Sequence, residues 1–261
     1  MVETSPGYYR IGGWTIHDIK DYGDLSLSRV LIKSSNIGTA KIAMEMTPHE
    51  LHKTFFDIGF GQITGVELPG EQSGMLPNRS RWRASEHASL AYGYGVAVTS
   101  LQLARAYAIL ASDGVMLPIS IRKRQEESPG HRVIPEDVVA DINKMLEKVV
   151  SPEGTAQLAS VPAYRVAGKT GTVRKLSTEG GYATDSYQAL FAGFAPASDP
   201  RFVLVVLIDE PSLDRYYGGE VAAPVFSKIM TDVLRLRGVP GDRESNINQI
   251  VFSHLDSDMG A

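Results

Sequence analysis

Residues 201–210 read Arg-Phe-Val-Leu-Val-Val-Leu-Ile-Asp-Glu, and this stretch is the clearest indication of the fold class. Its unbroken apolar run from Phe202 to Ile208 predicts a strand that is covered on both faces. Two further apolar runs of strand length precede it, at 166–173 and 188–196. Helical patterns lie before and after these three strands, without a regular strand–helix–strand alternation. The order therefore predicts an α+β fold, in which an antiparallel sheet is flanked by helices.

Capping residues predict where four helices begin. Thr47 and Thr99 each open a capping box, because a glutamate or glutamine follows three residues later. Pro135 begins a third helix, and Pro224 lies in the first turn of a fourth that ends before Gly238. Apolar spacing predicts the core-facing side chains of the last two helices: Val138, Ile142, Met145, Leu146 and Val149 in the third, and Val225, Ile229, Val233 and Leu236 in the fourth.

The composition excludes several classes of protein. Of 261 residues, 26 are Lys or Arg and 30 are Asp or Glu, and the net charge of −4 disfavours nucleic acid as a partner. The chain has no cysteine, which excludes disulfides, zinc–thiolate sites and cysteine nucleophiles. No run reaches the ~18 apolar residues of a membrane span, and His49 and His52 lack a third metal ligand. We therefore expect no cofactor, no metal and no membrane span in this chain.

The predicted elements all lie in one domain, residues 1–240. After Pro240 the sequence becomes polar and has no core pattern. Residues 241–261 are therefore expected to form a loosely attached tail.

The stretch 168–172, Gly-Lys-Thr-Gly-Thr, resembles part of a phosphate-binding loop, but that motif needs a glycine where this chain has Ala163. The stretch fits an extended strand better, with Lys169 and Gly171 on one face and the two threonines on the other. The hydroxyls could bind a carboxylate, the glycine would let a substrate lie close, and an edge strand could pair with a peptide. A solvated strand end is the alternative for so short a motif.

A second candidate lies at residues 33–36, Lys-Ser-Ser-Asn, just before a predicted helix over 37–46. A serine and an asparagine at such a position are usually only helix caps. Here, however, a Ser-x-Asn motif is followed along the chain by Lys-Thr-Gly.

Together with four other segments, these motifs resemble the transpeptidase domain of class B penicillin-binding proteins, of the division-specific (septal) penicillin-binding protein 3 type. The resemblance covers residues 7–240 and implies the fold shared by penicillin-binding proteins and serine β-lactamases. The matching segments are Leu31–Asn36, Ala91–Gly95, Val98–Gln102, Ala167–Thr172, Leu190–Pro196 and Tyr217–Gly219.

One departure from the family bears on the mechanism. The acylated serine of the family's Ser-x-x-Lys motif should lie upstream of Ser34, whereas the single Ser-x-x-Lys of this chain is at 120–123. That site lies in a polar segment after Pro118, so we interpret the match as chance. We expect an incomplete transpeptidase domain that lacks its nucleophile and forms no acyl-enzyme alone.

The resemblance implies catalytic roles for three residues. Ser34 would relay a proton towards the leaving amine, Asn36 would hydrogen-bond the substrate amide, and Lys169 would keep the site electropositive and assist the relay. We expect 166–173 to be an edge strand beside a groove, with Lys169 in hydrogen-bonding reach of the turn at 34–36.

The resemblance also implies a binding surface. Thr170 and Thr172, with Gly171 between them, would hold the terminal carboxylate of a stem peptide or of a β-lactam, and the Thr172 N–H would form half of an oxyanion hole. Arg174 could add positive charge beside this pocket, although an exposed charge is the default. An aromatic wall would line the site, with interior packing as the alternative: Tyr187, Tyr216 and Tyr217.

The implied activity is that of a serine-type D,D-transpeptidase, which cross-links peptidoglycan stem peptides at the septum and binds β-lactam antibiotics. The implied setting is the periplasmic face of the bacterial inner membrane, with divisome proteins as partners. Two alternatives stay open: a non-catalytic relative that binds the same ligands or scaffolds division partners, and a β-lactamase of the same fold. The segments 91–95 and 216–219 favour the transpeptidase over the β-lactamase.

Overall fold

The computed structural model describes residues 1–123, 129–177, 180–212 and 214–243. Short strands and helices occupy the first part of the chain, and a sheet followed by a long helix occupies the last part. The elements in order are β1 (Val2–Glu3), β2 (Tyr8–Ile11), β3 (Trp14–His17), β4 (Asp24–Leu25), α1 (Leu27–Lys33), α2 (Asn36–Met44), α3 (Pro48–Asp57), α4 (Ala84–Ala91), α5 (Ser100–Ala111), β5 (Val115–Met116), β6 (His131–Arg132), α6 (Glu136–Val150), a 3-10 turn (Gln157–Ala159), β7 (Ala167–Leu176), β8 (Tyr182–Ala195), β9 (Phe202–Asp209) and α7 (Gly218–Leu236).

The three predicted strands form an antiparallel sheet in the order β7–β8–β9. In its register, Lys169 is opposite Ala192 and Phe191 is opposite Val206. The sheet confirms the predicted α+β class and the edge position of the Lys-Thr-Gly strand. β8 begins earlier than predicted, at Tyr182, because its first half continues the hairpin with β7.

Helices cover both faces of the sheet, as the apolar sequence of β9 predicts. α7 packs on one face, where Phe226 and Phe191 are fully buried against each other. α5 and α6 pack on the other face, where Leu146 contacts Phe194. Each such side chain contributes about 1.5–3 kcal/mol through its burial.

The predicted caps are confirmed. Thr47 and Thr99 form capping boxes with Glu50 and Gln102, at the starts of α3 and α5. α6 begins directly after Pro135.

The predicted start of the last helix was wrong. α7 begins at Gly218, so Pro224 lies inside the helix rather than in its first turn. Proline lacks the N–H that would bond the carbonyl of Glu220, four residues earlier, so α7 forgoes one hydrogen bond in its second turn.

The predicted inward faces of α6 and α7 were also partly wrong. Val225 and Ile229 are 39% and 40% exposed, and Leu236 is 83% exposed. The buried stripe of α7 instead runs through Phe226 and residues on neighbouring turns. In α6 the predicted Val138 is exposed, and Val139 is buried in its place. The fully buried residues of the α7 stripe are Ala222, Ala223, Phe226, Met230 and Leu234.

The hairpin β2–β3 and helices α1, α2 and α4 form a second packed region. Its core includes Ile16 from β3 and Ile37 from α2. A Cβ at Gly38 would lie 2.7 Å from the side chain of Val30, so glycine is what lets α2 approach α1. Since α1 also contacts α6, this region is attached to the sheet and its helices.

Hydrogen bonds attach residues 242 and 243 to the rest of the domain. The Asp242 carboxylate accepts hydrogen bonds from the Arg165 N–H at 2.6 Å and the Ser198 hydroxyl at 2.7 Å, and the Arg243 N–H donates to the Ala163 carbonyl. The remainder of the predicted tail, 244–261, lies outside the described residues, so its loose attachment stays a prediction.

Candidate active site

Ser34 occupies a sharp turn between α1 and α2. Its φ of 56° and ψ of 45° place it in the left-handed region, which is uncommon for a residue other than glycine. Such a conformation costs of order 1–3 kcal/mol and persists where neighbouring contacts fix it. Here the N–H groups of Ser34 and Ser35 bond the carbonyls of Leu31 and Val30. The turn leaves the Ser34 side chain exposed at the end of α1.

The middle serine of the motif is the helix cap. Ser35 Oγ accepts a hydrogen bond from the Gly38 N–H at 2.9 Å, at the start of α2. Asn36 is the first residue of α2, and its Nδ2 donates to the His17 carbonyl at 3.2 Å. The capping role of the motif thus falls to Ser35, which leaves the Ser34 hydroxyl for another contact.

Asp18 supports this turn and was missed by sequence reasoning. Its carboxylate accepts from Ser35 Oγ at 2.5 Å and from the Ile37 N–H at 3.1 Å. The negative charge therefore lies at the N-terminus of α2, where the helix dipole stabilises it. Asp18 follows β3 in an unremarkable polar stretch, so no sequence signal relates it to Ser35.

Lys169 joins the strand motif to the turn motif. Its Nζ donates to Ser34 Oγ at 2.8 Å and to the Thr170 carbonyl at 3.2 Å. The contact with Ser34 confirms the predicted hydrogen-bonding reach, across 135 residues of sequence. Burial removes water from the ammonium group and lowers the pKa of Lys169 from 10.5 to about 8. Lys169 is therefore mostly charged at neutral pH and can release its proton slightly above it.

The two threonines of the motif are held by different partners. Thr172 Oγ1 accepts from the Gly218 N–H at 3.0 Å, so it lies at the positive end of the α7 dipole. Thr170 Oγ1 lies 3.0 Å from the hydroxyl oxygen of Thr155, a residue that sequence reasoning also missed. A hydroxyl that accepts one bond can still donate its own proton, so Thr172 can serve as a donor to a carboxylate.

Two glycines let these groups come close. A Cβ at Gly218 would lie 2.3 Å from the Leu190 carbonyl oxygen and 2.5 Å from that of Gly171. A Cβ at Gly171 would lie 2.8 Å from Cγ of Leu190. The space beside Gly171 is thus filled by a side chain of β8, so the close approach expected there is made by the protein itself.

The three predicted wall tyrosines form one stack. The rings of Tyr187 and Tyr216 are 4.2 Å apart at 17°, and those of Tyr216 and Tyr217 are 4.6 Å apart at 30°. Tyr217 directly precedes α7, so the stack adjoins the helix end that holds Thr172. The Arg174 guanidinium lies 5.9 Å from the Tyr187 ring centre, a cation–π distance.

A cavity of about 780 Å³ borders Asn36 and Arg174. Its lining includes Trp14, Trp82 and Tyr94 but none of Ser34, Lys169 and the two threonines. This cavity thus adjoins the Ser-x-Asn side of the site.

The single Ser-x-x-Lys match, at residues 120–123, is exposed and lies outside the helices and strands. Ser120 Oγ donates to the Arg122 carbonyl and accepts from the Arg122 N–H. The match therefore does not begin a buried helix, as a nucleophile motif would.

The described residues contain no cluster of three or more His, Asp or Glu side chains that could hold a metal ion. Nor does any helix in that part of the chain have the length and apolarity needed to cross a bilayer.

Known proteins resemble this chain in sequence and in structure. Peptidoglycan D,D-transpeptidase FtsI of Escherichia coli is 45% identical over 234 residues, which are 90% of this chain and 40% of that protein. The probable peptidoglycan D,D-transpeptidase PbpC of Pseudomonas aeruginosa is 41% identical, over 93% of this chain and 43% of that protein. The chain thus spans less than half the length of these curated relatives.

The apo TP domain of Burkholderia pseudomallei penicillin-binding protein 3 has the same fold, with a TM-score of 0.87 and 42% identity. The match covers 93% of this chain and 74% of that one. Residues 2–231 also match the family described as the penicillin-binding protein transpeptidase domain. The chain therefore belongs to the penicillin-binding protein transpeptidase domain family.

Proposed function

We propose that this chain supplies one side of the active site of a serine-type peptidoglycan D,D-transpeptidase, which cross-links stem peptides at the division septum and binds β-lactams. The observation that carries the proposal is the 2.8 Å hydrogen bond between Lys169 Nζ and Ser34 Oγ. It joins the two family motifs into one site, in a chain whose relatives are named peptidoglycan D,D-transpeptidases.

The proposed chemistry is acyl transfer to a serine that lies outside this chain. That serine's oxygen attacks the carbonyl carbon of the penultimate D-alanine and loses its proton to a base, while the C–N bond to the terminal D-alanine breaks. The leaving amine takes the proton of the Ser34 hydroxyl, and Lys169 returns a proton to Ser34 Oγ. The amine of a second stem peptide then attacks the acyl-serine carbonyl, forms the cross-link and releases the serine; the amine's proton restores Lys169, and the base returns its proton to the serine. A lysine whose pKa is about 8 suits this relay, because its proton is exchangeable near neutral pH.

The proposed carboxylate site is built around Thr172. The terminal carboxylate of the substrate would accept hydrogen bonds from the hydroxyls of Thr170 and Thr172, at the positive end of α7 and near the Lys169 ammonium. Asn36 would bind the substrate amide, and the stack of Tyr187, Tyr216 and Tyr217 would flank the bound peptide.

On this proposal the domain works on the periplasmic face of the bacterial inner membrane, together with other division proteins. Cross-linking of peptidoglycan takes place there, and the relative whose sequence matches 90% of this chain is named FtsI.

Labelling with a fluorescent penicillin, followed by intact-protein mass spectrometry, tests the proposal. We expect stoichiometric acylation of the complete gene product that contains this chain, and no acylation of the 261-residue chain alone. Acylation of the chain at Ser34 or Ser120 would contradict the assignment of the nucleophile to another segment. A complete gene product that is folded by circular dichroism yet never acylated would identify a non-catalytic relative instead.

A further inference from the structure

The segment between α6 and the 3-10 turn, residues 151–156, folds back on the end of α6. The Gly154 N–H donates to the Ser151 carbonyl at 2.9 Å, and the Ala156 N–H donates to the Val149 carbonyl at 3.0 Å. A Cβ at Gly154 would clash with the same Val149 oxygen, so the segment can fold back this tightly only with glycine there. Residues 151–156 are therefore fixed relative to α6.

The same segment contacts the strand that carries the Lys-Thr-Gly motif. Thr155 Oγ1 lies 3.0 Å from Thr170 Oγ1, and Thr170 Oγ1 lies 3.4 Å from Lys169 Nζ. A Cβ at Gly219 would clash with the Thr155 carbonyl oxygen, so the segment also packs closely on the first turn of α7. Two elements of the candidate site thus contact residues 151–156.

Lys33 connects this segment to the serine turn. It is the last residue of α1 and directly precedes Ser34, and its Nζ donates to the Glu153 carbonyl at 2.6 Å. The two residues are 120 positions apart in the sequence. Lys33 is not part of the lining of the cavity beside Asn36. Its bond to Glu153 therefore belongs to the opposite border of the turn.

These contacts and the backbone together form a closed ring around the proposed proton relay. Its members in order are Ser34, Lys169, Thr170, Thr155, Glu153 and Lys33. In a closed ring, each contact limits the separation of the groups on either side of it. The bond between Lys33 and Glu153 is the side-chain link of this ring that involves no residue of either family motif.

We propose that Lys33 is a positioning residue of the active site, which fixes the distance between the Ser34 turn and the Lys-Thr-Gly strand by holding the segment 151–156. Ser34 needs such support, because its left-handed backbone conformation persists only where neighbouring contacts fix it. Lys169 depends on it too, since its ammonium group stays buried only while turn and strand remain together. The inference rests on the proposed function in one respect, the role in proton transfer that it gives to the contact between Ser34 and Lys169.

An NMR titration of this chain with isotope-labelled lysine tests the inference through the pKa of Lys169. The Lys169 signal is identified by its loss in Lys169→Met. In the wild type it should titrate near pH 8. In Lys33→Met water should reach the ammonium group, and Lys169 should titrate at least about one pH unit higher, towards 10.5. About 1 M salt, at which the Debye length is ~3 Å, suppresses the direct effect of deleting the Lys33 charge.

The matched control is Lys41→Met. Lys41 Nζ also donates to a backbone carbonyl, that of Glu3 at 2.7 Å, but lies outside the ring. This variant should leave the Lys169 titration unchanged. Lys33→Arg keeps the charge and the donors, and should titrate as the wild type does. Gly154→Ala disturbs the segment where it folds back on α6, and should raise the pKa of Lys169 as Lys33→Met does.

The second readout is acylation of the complete gene product by a fluorescent penicillin. Lys33→Met should slow it about tenfold, because a misplaced relay loses its alignment with the reacting atoms, whereas Lys41→Met should not slow it.

Three results would overturn the inference: an unchanged Lys169 titration in Lys33→Met, an equal rise in Lys41→Met, or wild-type acylation of the Lys33→Met gene product. The NMR titration uses this chain alone and needs no acylation. A gene product that is never acylated therefore refutes the proposed function and leaves the positioning by Lys33 standing. An acylated gene product with an unchanged Lys169 titration in Lys33→Met refutes the positioning alone.

Discussion

Lys169 and Lys175 lie on the same strand, yet their surroundings shift their pKa values in opposite directions. Burial lowers the pKa of Lys169 to about 8. Hydrogen bonds to Glu210 and Asp209 raise the pKa of Lys175 above its ordinary value. Burial destabilises the charged form of Lys169, whereas the carboxylates stabilise the charged form of Lys175. The first shift suits a residue that transfers a proton, and the second is typical of a surface ion pair.

This difference predicts that stability relative to two lysine variants depends on pH in different ways. The folded state releases the Lys169 proton near pH 8 and the unfolded state near 10.5, so in this window the unfolded state binds more protons. We expect the unfolding free energy of the wild type, relative to Lys169→Met, to rise between these pH values. It should be measured by urea denaturation at successive pH values.

Lys175→Met is the matched control. The stabilisation from Lys175 is fully present below pH 10.5 and is lost only as the pH rises through its raised pKa. The wild-type advantage over Lys175→Met should therefore stay level across the window. A level difference for Lys169→Met as well would show that Lys169 is not desolvated.

The two threonines of the strand motif should differ in importance. In the complete gene product, Thr172→Val should slow acylation by a fluorescent β-lactam more than Thr170→Val does. Loss of a hydrogen bond to a charged group costs roughly 1.5–3 kcal/mol, or about one to two decades in rate. Thr172→Val also removes the acceptor of the Gly218 N–H. Equal acylation rates for the two variants would mean that Thr170 and Thr172 do not contact the substrate in the proposed way.

Sequence motifs predicted the contact of Lys169 with Ser34, but not the residues that support it. Lys169 and Ser34 each stand in a short pattern that can be recognised locally. Asp18 and Thr155 are ordinary polar residues, and they meet Ser35 and Thr170 only because the hairpin and the 3-10 region pack against distant elements. Such supporting contacts carry no local signal.

Among the elements, the start of α7 packs tightly against the backbones of β7 and β8. Gly218→Ala would improve helix propensity by about 0.5–1 kcal/mol in the absence of other contacts. Because the new Cβ would lie 2.3 Å from the Leu190 carbonyl oxygen, we expect net destabilisation instead, by about 1–3 kcal/mol. Thermal unfolding measures it.

The control is Glu220→Ala, at an exposed residue in the first turn of the same helix. It should change the free energy of unfolding by less than about 0.5 kcal/mol. A Gly218→Ala protein as stable as the wild type would show that α7 can withdraw from the sheet.

Helix starts that carry a side-chain cap were predicted better than helix faces, for a physical reason. A cap such as Thr47 with Glu50 acts within one turn, so the sequence alone shows it. In α7 two apolar stripes compete, one through Val225 and Ile229 and one through Phe226 and Met230. The sheet selects the second stripe because Phe226 can pack on Phe191. Propensity and spacing cannot make that choice, since it depends on the partner surface.

At the scale of the whole molecule, β9 presents an apolar strand at the edge of the sheet. Within the described residues β9 pairs only with β8, and its Leu207 is 45% exposed. Long apolar edges favour pairing between chains, and inward or outward charges suppress it. We therefore expect this chain to associate with rising concentration, as measured by sedimentation velocity.

Leu207→Lys should reduce this association. Leu158→Lys, at a leucine of similar exposure in the 3-10 turn, should not. A chain that is monomeric at every concentration, or an equal effect of both variants, would show that the edge of β9 does not self-associate.

The contact between Lys169 and Ser34 also has a consequence for the order of folding. It closes a loop of 135 residues, and the chain entropy lost in such a closure is about 4 kcal/mol. One hydrogen bond to a charged group returns at most about 3 kcal/mol. The bond is therefore too weak to close this loop by itself, and we expect it to form only after α1 has docked on α6 and the sheet is complete. The site should accordingly assemble late in folding and open early in local fluctuations, before the sheet itself unfolds.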